Sequence, residues 1–334
     1  MAGPVREASM IIDMHIHVWD EGYQPEGYKQ GMALGAATRR WPPRDPATIR
    51  PRVMAGASDP EGELLIPELD RAGVDAAVAM VVDMGPAFGE EQDVPIDEVL
   101  AQHVRLMERF PDRFYAYFGR DPRRPDTPAR FRQAVAGQGF RGIKIYPPCG
   151  YRPDDEICWP LYETCIEFGV PALFHTGTAS PPLDPGLVHP SLLSAVSRRY
   201  PELTVIYGHI GRPHWWRDIL HIAGSNPNAY LELSQWHREA SDDPAGFARS
   251  LAEMRDSVGA HRILMGSDYS AGPRTTGERS WYPGWIEYLR TLPERSAEYG
   301  VSFSEEEMGL ILGGNAERLL GLSPQGSGDG GGEG

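Results

Sequence analysis

Three features are scarce or missing in this chain of 334 residues, and each absence narrows what it can do. Cysteine is scarce: Cys149, Cys158 and Cys165 are an odd set of thiols in no Cys-x-x-Cys spacing. That excludes a disulfide framework or a zinc knuckle and reads as reduced thiols of a cytoplasmic protein. Lysine is nearly absent, with only Lys29 and Lys144, so arginine carries almost all the positive charge. The 32 basic residues face 47 acidic ones, for a net charge of −15, and no basic tract occurs. Nucleic acid and an anionic membrane surface are therefore not expected partners. Long apolar runs are missing too: none approaches a bilayer span, and MAGPVREAS lacks the apolar core of a signal peptide.

What is present is a rhythm. Short apolar, often β-branched or aromatic runs mark strands at Met10–Val18, Asp75–Val82, Arg113–Gly119 and Gly142–Pro147. The series continues with Pro171–Thr176, Leu203–His209, Ala229–Gln235 and Ile263–Ser267. Helical spacing predicts helices between them, among them Glu63–Arg71, Ile96–Arg109, Trp159–Phe168 and Pro244–Ser257. A last helix, Ser304–Leu320, starts with Ser304 and Glu307 at the spacing of a capping box. Eight alternations of strand and helix predict an α/β fold, a closed (β/α)8 TIM barrel. An open doubly wound sheet is the runner-up, but no Gly-x-Gly-x-x-Gly follows the first strand. The expected organisation is a flexible N-terminus (1–9), one barrel domain (10–322) and a disordered Gly-rich tail (323–334). Within the domain, residues 19–59 read as a long connection rich in Gly, Pro and Arg, without regular structure. It is taken as a lid over the C-terminal rim that supplies substrate contacts; a surface excursion or an oligomer contact is the alternative.

The chemistry starts in MIIDMHIHVWD, residues 10–20. Strand side chains alternate faces, so His15 and His17 point one way and Ile16 the other. Two imidazoles on one rigid strand can reach a single cation, although two hydrogen-bonded core histidines would read the same. Four polar residues follow near the ends of other strands: Lys144, His175, His209 and Asp268. In GIKIYPP, alternation puts Lys144 and Tyr146 opposite Ile143 and Ile145, so Lys144 points into the barrel. It could pair with a carboxylate, neutralise an oxyanion, or be carboxylated to bridge two metals. Two or three imidazoles and a carboxylate suit a divalent cation, zinc first, with manganese or iron as alternatives. Such a cation lowers the pKa of a water or polarises a substrate oxygen, and a further His or Asp moves the proton. Weaker candidates for substrate contacts are Arg212, Tyr146, Trp19 and Glu232, with Ser234 on the same strand face as Glu232.

The pieces DMHIH, GIKIYPP, LFHTG, YGHIG, MGSDYS and NAERLLGL span almost the whole chain. In that order they resemble the amidohydrolase superfamily, in its amidohydrolase-related branch of aminocarboxymuconate-semialdehyde decarboxylase-like metal-dependent hydrolases. The resemblance implies a barrel with one or two metals at the strand C-termini. It places His15, His17, His175 and Asp268 at metal-binding positions. His209 matches a histidine that binds a second metal or acts as acid/base, and Lys144 resembles the carboxylated lysine of binuclear members. The expected enzyme is a hydrolase of a small-molecule amide, lactone or ester, with Asp268 or His209 moving the proton. The alternative is a non-oxidative decarboxylase of an aromatic or unsaturated acid, and a non-catalytic binding barrel is the third reading. A homodimer is the oligomer considered.

Overall fold

The computed structural model describes residues 10–39 and 41–322, so the expectations for 1–9 and 323–334 lie outside the described residues. The strands are β1 (Ile12–His17), β2 (Ala76–Met80), β3 (Phe114–Tyr117), β4 (Ile143–Ile145) and β5 (Ala172–His175). Then come β6 (Val205–Gly208), β7 (Ala229–Glu232), β8 (Ile263–Leu264) and β9 (Tyr269–Ser270). They pair in parallel in two runs, β3-β2-β1-β9 and β4-β5-β6-β7-β8. A parallel bridge from Phe118 to Ile143 joins the runs on one side. On the other, the Met14 amide donates to Met265 O (3.0 Å) and the Asp268 amide to His15 O (2.7 Å). The barrel is therefore closed, and β8 and β9 are one barrel strand broken at residues 265–268.

Two buried layers follow from strand alternation. Ala76, Val78 and Met80 of β2 join Ile12, Met14, Tyr117, Leu173 and Ile206 inside the barrel. Ala77, Ala79, Phe114, Ile143, Phe174 and Tyr207 face the surrounding helices. β1 breaks strict alternation. Its pairing with β2 shifts register between Asp13 and Ile16. Ile12 and Met14 therefore lie in the inner layer while Ile16 lies in the outer one. A bulge of this kind re-aims the side chains that follow it, here His15 and His17.

The C-terminal segment plugs the N-terminal end of the barrel. The capping box at Ser304 and Glu307 forms as expected. The helix runs from Glu305 to Leu320 as expected, but it changes pitch: a π turn over Leu310–Gly314 lies between Glu305–Gly309 and Asn315–Leu320. Ile311 O accepts from the Met265 amide (2.9 Å), a bond that draws this carbonyl toward the β8 end. A Cβ at Gly313 would lie 1.7 Å from Met10 O, so only glycine permits this approach.

Residues 19–59 differ from the expected irregular connection. They hold helices Glu26–Thr38 and Pro46–Met54. Asp45 caps the second, and Pro46 stands where its missing N–H is harmless. Small residues hide the first from a periodicity argument but let it sit close: a Cβ on Gly27 would meet the Phe88 ring at 2.6 Å. The excursion returns to its origin, with the Asp59 amide on Trp19 O (3.0 Å) and Ser58 Oγ on Asp20 Oδ2 (2.8 Å).

Candidate metal and catalytic site

β1 presents His15 and His17 toward the C-terminal rim. His15 Nδ1 lies 2.9 Å from Glu232 Oε2, and His17 Nδ1 lies 2.9 Å from Met80 O. Both partners are acceptors, so each Nδ1 carries a proton, and in the neutral ring each Nε2 keeps its lone pair. The two Nε2 atoms face Asp268 Oδ1, at 3.4 Å from His15 and 3.1 Å from His17. Three acceptor atoms thus converge, close enough to share one ion. Positive charge reconciles them: Lys144 Nζ stands 3.1 Å from His15 Nε2, and a proton or a metal cation can serve between the imidazoles and Asp268.

A second pair of acceptors meets nearby. His209 Nδ1 lies 2.6 Å from Ser234 Oγ, whose own proton goes to Glu232 Oε2 (2.6 Å). The hydroxyl therefore accepts from His209, leaving His209 Nε2 unprotonated. His175 Nε2 donates to Thr178 O (3.3 Å), so its Nδ1 is unprotonated as well, and it stands 2.9 Å from His209 Nε2. His175 thus pairs with His209 and is not among the three groups that gather around Asp268.

Burial pulls the pKa of His15, His175 and His209 well below that of a free imidazole. These rings stay neutral, as metal ligands must. Burial works against ionisation of Asp268, yet its contacts with His17, His209 and His15 hold its pKa well below the carboxylate norm. Lys144 is buried, its Nζ 3.1 Å from His15 Nε2. Burial lowers its pKa, against the pull of Asp268 and Glu232. Burial raises that of Glu232, against its hydrogen bonds from Ser234.

A cavity of about 220 Å³ opens over these groups, lined by His17, His175, His209 and Asp268 among others. Trp19 and Tyr146 line it as well. Trp19 stacks on His17 with ring centroids 4.9 Å apart, and Tyr146 meets His175 edge-on at 4.6 Å. Two expected substrate contacts lie elsewhere. Glu232 is wholly buried beneath His15 and His209, one layer below the rim, and does not line the cavity. Arg212 turns its Nε to Glu239 Oε2 and is likewise absent from the lining.

Sequence reading missed Gln235 and Asp13. Gln235 Nε2 donates to Asp268 Oδ2 (2.6 Å) and lines the cavity. Its only sequence signal is its place at the end of the seventh strand run. Asp13 is wholly buried and accepts from the His15 amide (3.0 Å), the Ser267 amide (3.1 Å) and Tyr282 Oη (2.9 Å), which fixes β1 against the broken eighth strand. His209, Gln235 and Asp268 all adopt left-handed φ, at 67°, 66° and 63°. Non-glycine residues in that region are held there at a cost of order 1–3 kcal/mol each, and such strain gathers at functional sites. Glycine makes room beside them: a Cβ on Gly266 would fall 1.7 Å from Glu232 Oε1.

A closed parallel barrel with imidazoles and a carboxylate converging at its C-terminal rim defines the class of barrel enzymes built around a divalent-metal site. The model of the Amidohydrolase family matches residues 12–322, and the chain belongs to that family. An L-fucono-1,5-lactonase of Burkholderia ambifaria is 24% identical over 91% of this chain and 93% of its own. Solved structures share the fold. A 5-carboxyvanillate decarboxylase of Novosphingobium aromaticivorans, complexed with manganese, matches with TM-score 0.61 at 17% identity, over 94% of this chain and 96% of that one. A 2-pyrone-4,6-dicarboxylic acid hydrolase candidate of Acinetobacter baumannii, with citric acid bound, matches with TM-score 0.59 at 16% identity, over 93% and 99%.

Proposed function

We propose that this protein is a metal-dependent hydrolase of a small-molecule lactone, ester or amide. The observation that carries the reading is the meeting of His15 Nε2, His17 Nε2 and Asp268 Oδ1, three ligand-type atoms close enough to share one ion. Those residues would hold a divalent cation, with His175 adjoining. When bound, the cation supplies Lewis acidity toward a substrate carbonyl or a water. The neutral imidazoles and single carboxylate favour zinc, with manganese and iron as alternatives.

The chain's own groups supply the rest. His209 Nε2 faces the cavity unprotonated and takes a proton; Ser234 and Glu232 hold its Nδ1–H and keep that tautomer. Asp268, kept ionised, is the second proton acceptor and returns the proton to the leaving group. Lys144 beside His15 is placed to neutralise negative charge or to join a second metal. Trp19 and Tyr146 provide aromatic walls for the substrate. The helical excursion of residues 19–59 acts as the lid, since Trp19, Tyr28 and Met54 face the same cavity. The reduced, buried cysteines fit a cytoplasmic location, and among the described residues no helix is long and apolar enough to cross a membrane.

Support for hydrolysis over decarboxylation comes from the lining, which holds no arginine or lysine to receive a carboxylate inside the cavity. The decarboxylase alternative would use the same metal residues. The test is metal analysis of protein purified without chelator, followed by a lactone and ester panel beside a labelled-carboxylate acid panel. Stoichiometric metal with lactone or ester turnover, lost in His209→Ala, is expected. Stoichiometric metal with labelled carbon dioxide release and no hydrolysis would replace this reading with the alternative.

A further inference from the structure

Beside the catalytic cavity lies a larger groove of about 640 Å³, and the site chemistry does not use it. Its rim carries Arg39, Arg44, Arg52 and Arg274. They come from three segments: the end of Glu26–Thr38 with the bend after it, the helix Pro46–Met54, and the loop beyond β9. The Arg274 amide donates to Gly56 O (3.2 Å), which ties the third segment to the turn that follows the second. No carboxylate lines the groove, and among the described residues none of the four guanidinium groups forms an ion pair. Arg50, on the same helix as Arg52, behaves differently: it faces away to Glu26.

Four like charges gathered without a counter-charge repel one another, and this in a chain with net charge −15. A bound anion relieves that repulsion. Planar guanidinium forks suit carboxylate and phosphate groups in particular. The floor between them is apolar, made by Ala37, Ile49 and Val53, and takes a hydrocarbon body. Val53 and Ala57 line both this groove and the catalytic cavity. The two spaces therefore adjoin, and one molecule can reach from one into the other.

We infer that the groove is a distal subsite for the charged end of a multiply anionic organic substrate, bearing carboxylate or phosphate groups, whose reactive carbonyl lies in the catalytic cavity. The inference rests on the hydrolase reading for the reacting end, but the anion site stands on its own geometry. In a local positive field on an acidic protein, such a substrate is also steered to the mouth of the site.

The test uses the purified full chain and calorimetric titration with benzene-1,3,5-tricarboxylate and with phenyl phosphate; the neutral triol of the same ring is the comparator. Wild type, the Arg52→Gln/Arg274→Gln double variant and the Arg50→Gln control are titrated, with metal content and thermal midpoint measured on each. The expected result is salt-sensitive anion binding, weakened at least about tenfold in the double variant and unchanged in the control. The tighter of the two anions names the headgroup. In turnover, the double variant should raise KM for a carboxylated lactone about tenfold more than for its neutral analogue. Equal anion binding by wild type and a folded double variant, or equal binding of the triol, overturns the inference. Metal present with arginine-independent binding sinks the groove and spares the hydrolase reading. Arginine-dependent binding to protein that retains no metal does the reverse.

Discussion

Ser234 Oγ is the hinge of the site at the residue scale. It donates to Glu232, accepts from His209 Nδ1, and lies 3.2 Å from His15 Nδ1, so one hydroxyl helps set the tautomers of two histidines. Groups that orient a ligand or a base in this way are worth about 10- to 100-fold in activity. Ser234→Ala should lower kcat by that amount with KM little changed and bound metal retained, and should shift the pH–rate profile. Ser234→Thr, which keeps the hydroxyl, should recover part of the loss. Steady-state kinetics against pH, with metal analysis on the same samples, decides it; an unchanged profile removes Ser234 from the mechanism. His103 gives a prediction about stability. It is buried, its Nδ1 bonds only Val99 O (2.8 Å), and its Nε2 has no partner. Burial lowers its pKa from 6.5 to about 4. The unfolded chain therefore binds a proton there before the folded one does, and stability falls as pH drops from 6.5 toward 4. The loss from this residue approaches about 3 kcal/mol. Urea titrations at pH 7 and pH 5 should show a smaller difference for His103→Gln than for wild type.

At the scale of elements, the two departures from the expected pattern are a helix that changes pitch and a connection that is not irregular. The π turn at Leu310–Gly314 lets Ile311 O reach Met265 and brings Gly313 against the backbone of residue 10. Backbone cannot move aside as a flexible side chain can. Gly313→Ala should therefore destabilise the fold by about 3 kcal/mol, read as a lower urea midpoint with unchanged slope. No loss of stability would mean that this approach is looser than described. The excursion 19–59 was legible as an insertion from its Gly, Pro and Arg content. Its first helix was not, because Gly27, Gly31 and Gly35 lower intrinsic helicity, while Gly27 and Gly31 allow close contact with Phe88 and Pro182.

For the whole molecule, the convergence of acceptors has an energetic consequence. Ligand-type atoms of two imidazoles and a carboxylate gather at the centre of the site, and a cation that binds only the folded state stabilises it by mass action. At free metal near 1,000 times Kd the gain is about 4 kcal/mol. Dialysis against a strong chelator should lower the thermal midpoint, and returning zinc or manganese should restore it. In His17→Ala the chelator-dependent difference should shrink or vanish. A midpoint insensitive to chelator in wild type that carries no metal would remove the cation from the account.

Strand and helix order were readable in the sequence because each follows from local periodicity, and burial on both faces gives barrel strands their apolar runs. The positions of His15, His17, Lys144, His175, His209 and Asp268 near strand ends were readable for the same reason: a polar residue after an apolar run lies at a rim. What those residues touch was not. Glu232 meets His15 across 217 positions of chain, Arg212 turns to Glu239 rather than to the cavity, and His175 faces His209 rather than Asp268. Which nitrogen of each histidine keeps its lone pair depends on a partner supplied by another strand. Pattern along a chain encodes which face a side chain occupies; only closure of the barrel brings distant faces within hydrogen-bond reach, and that step assigned the protons.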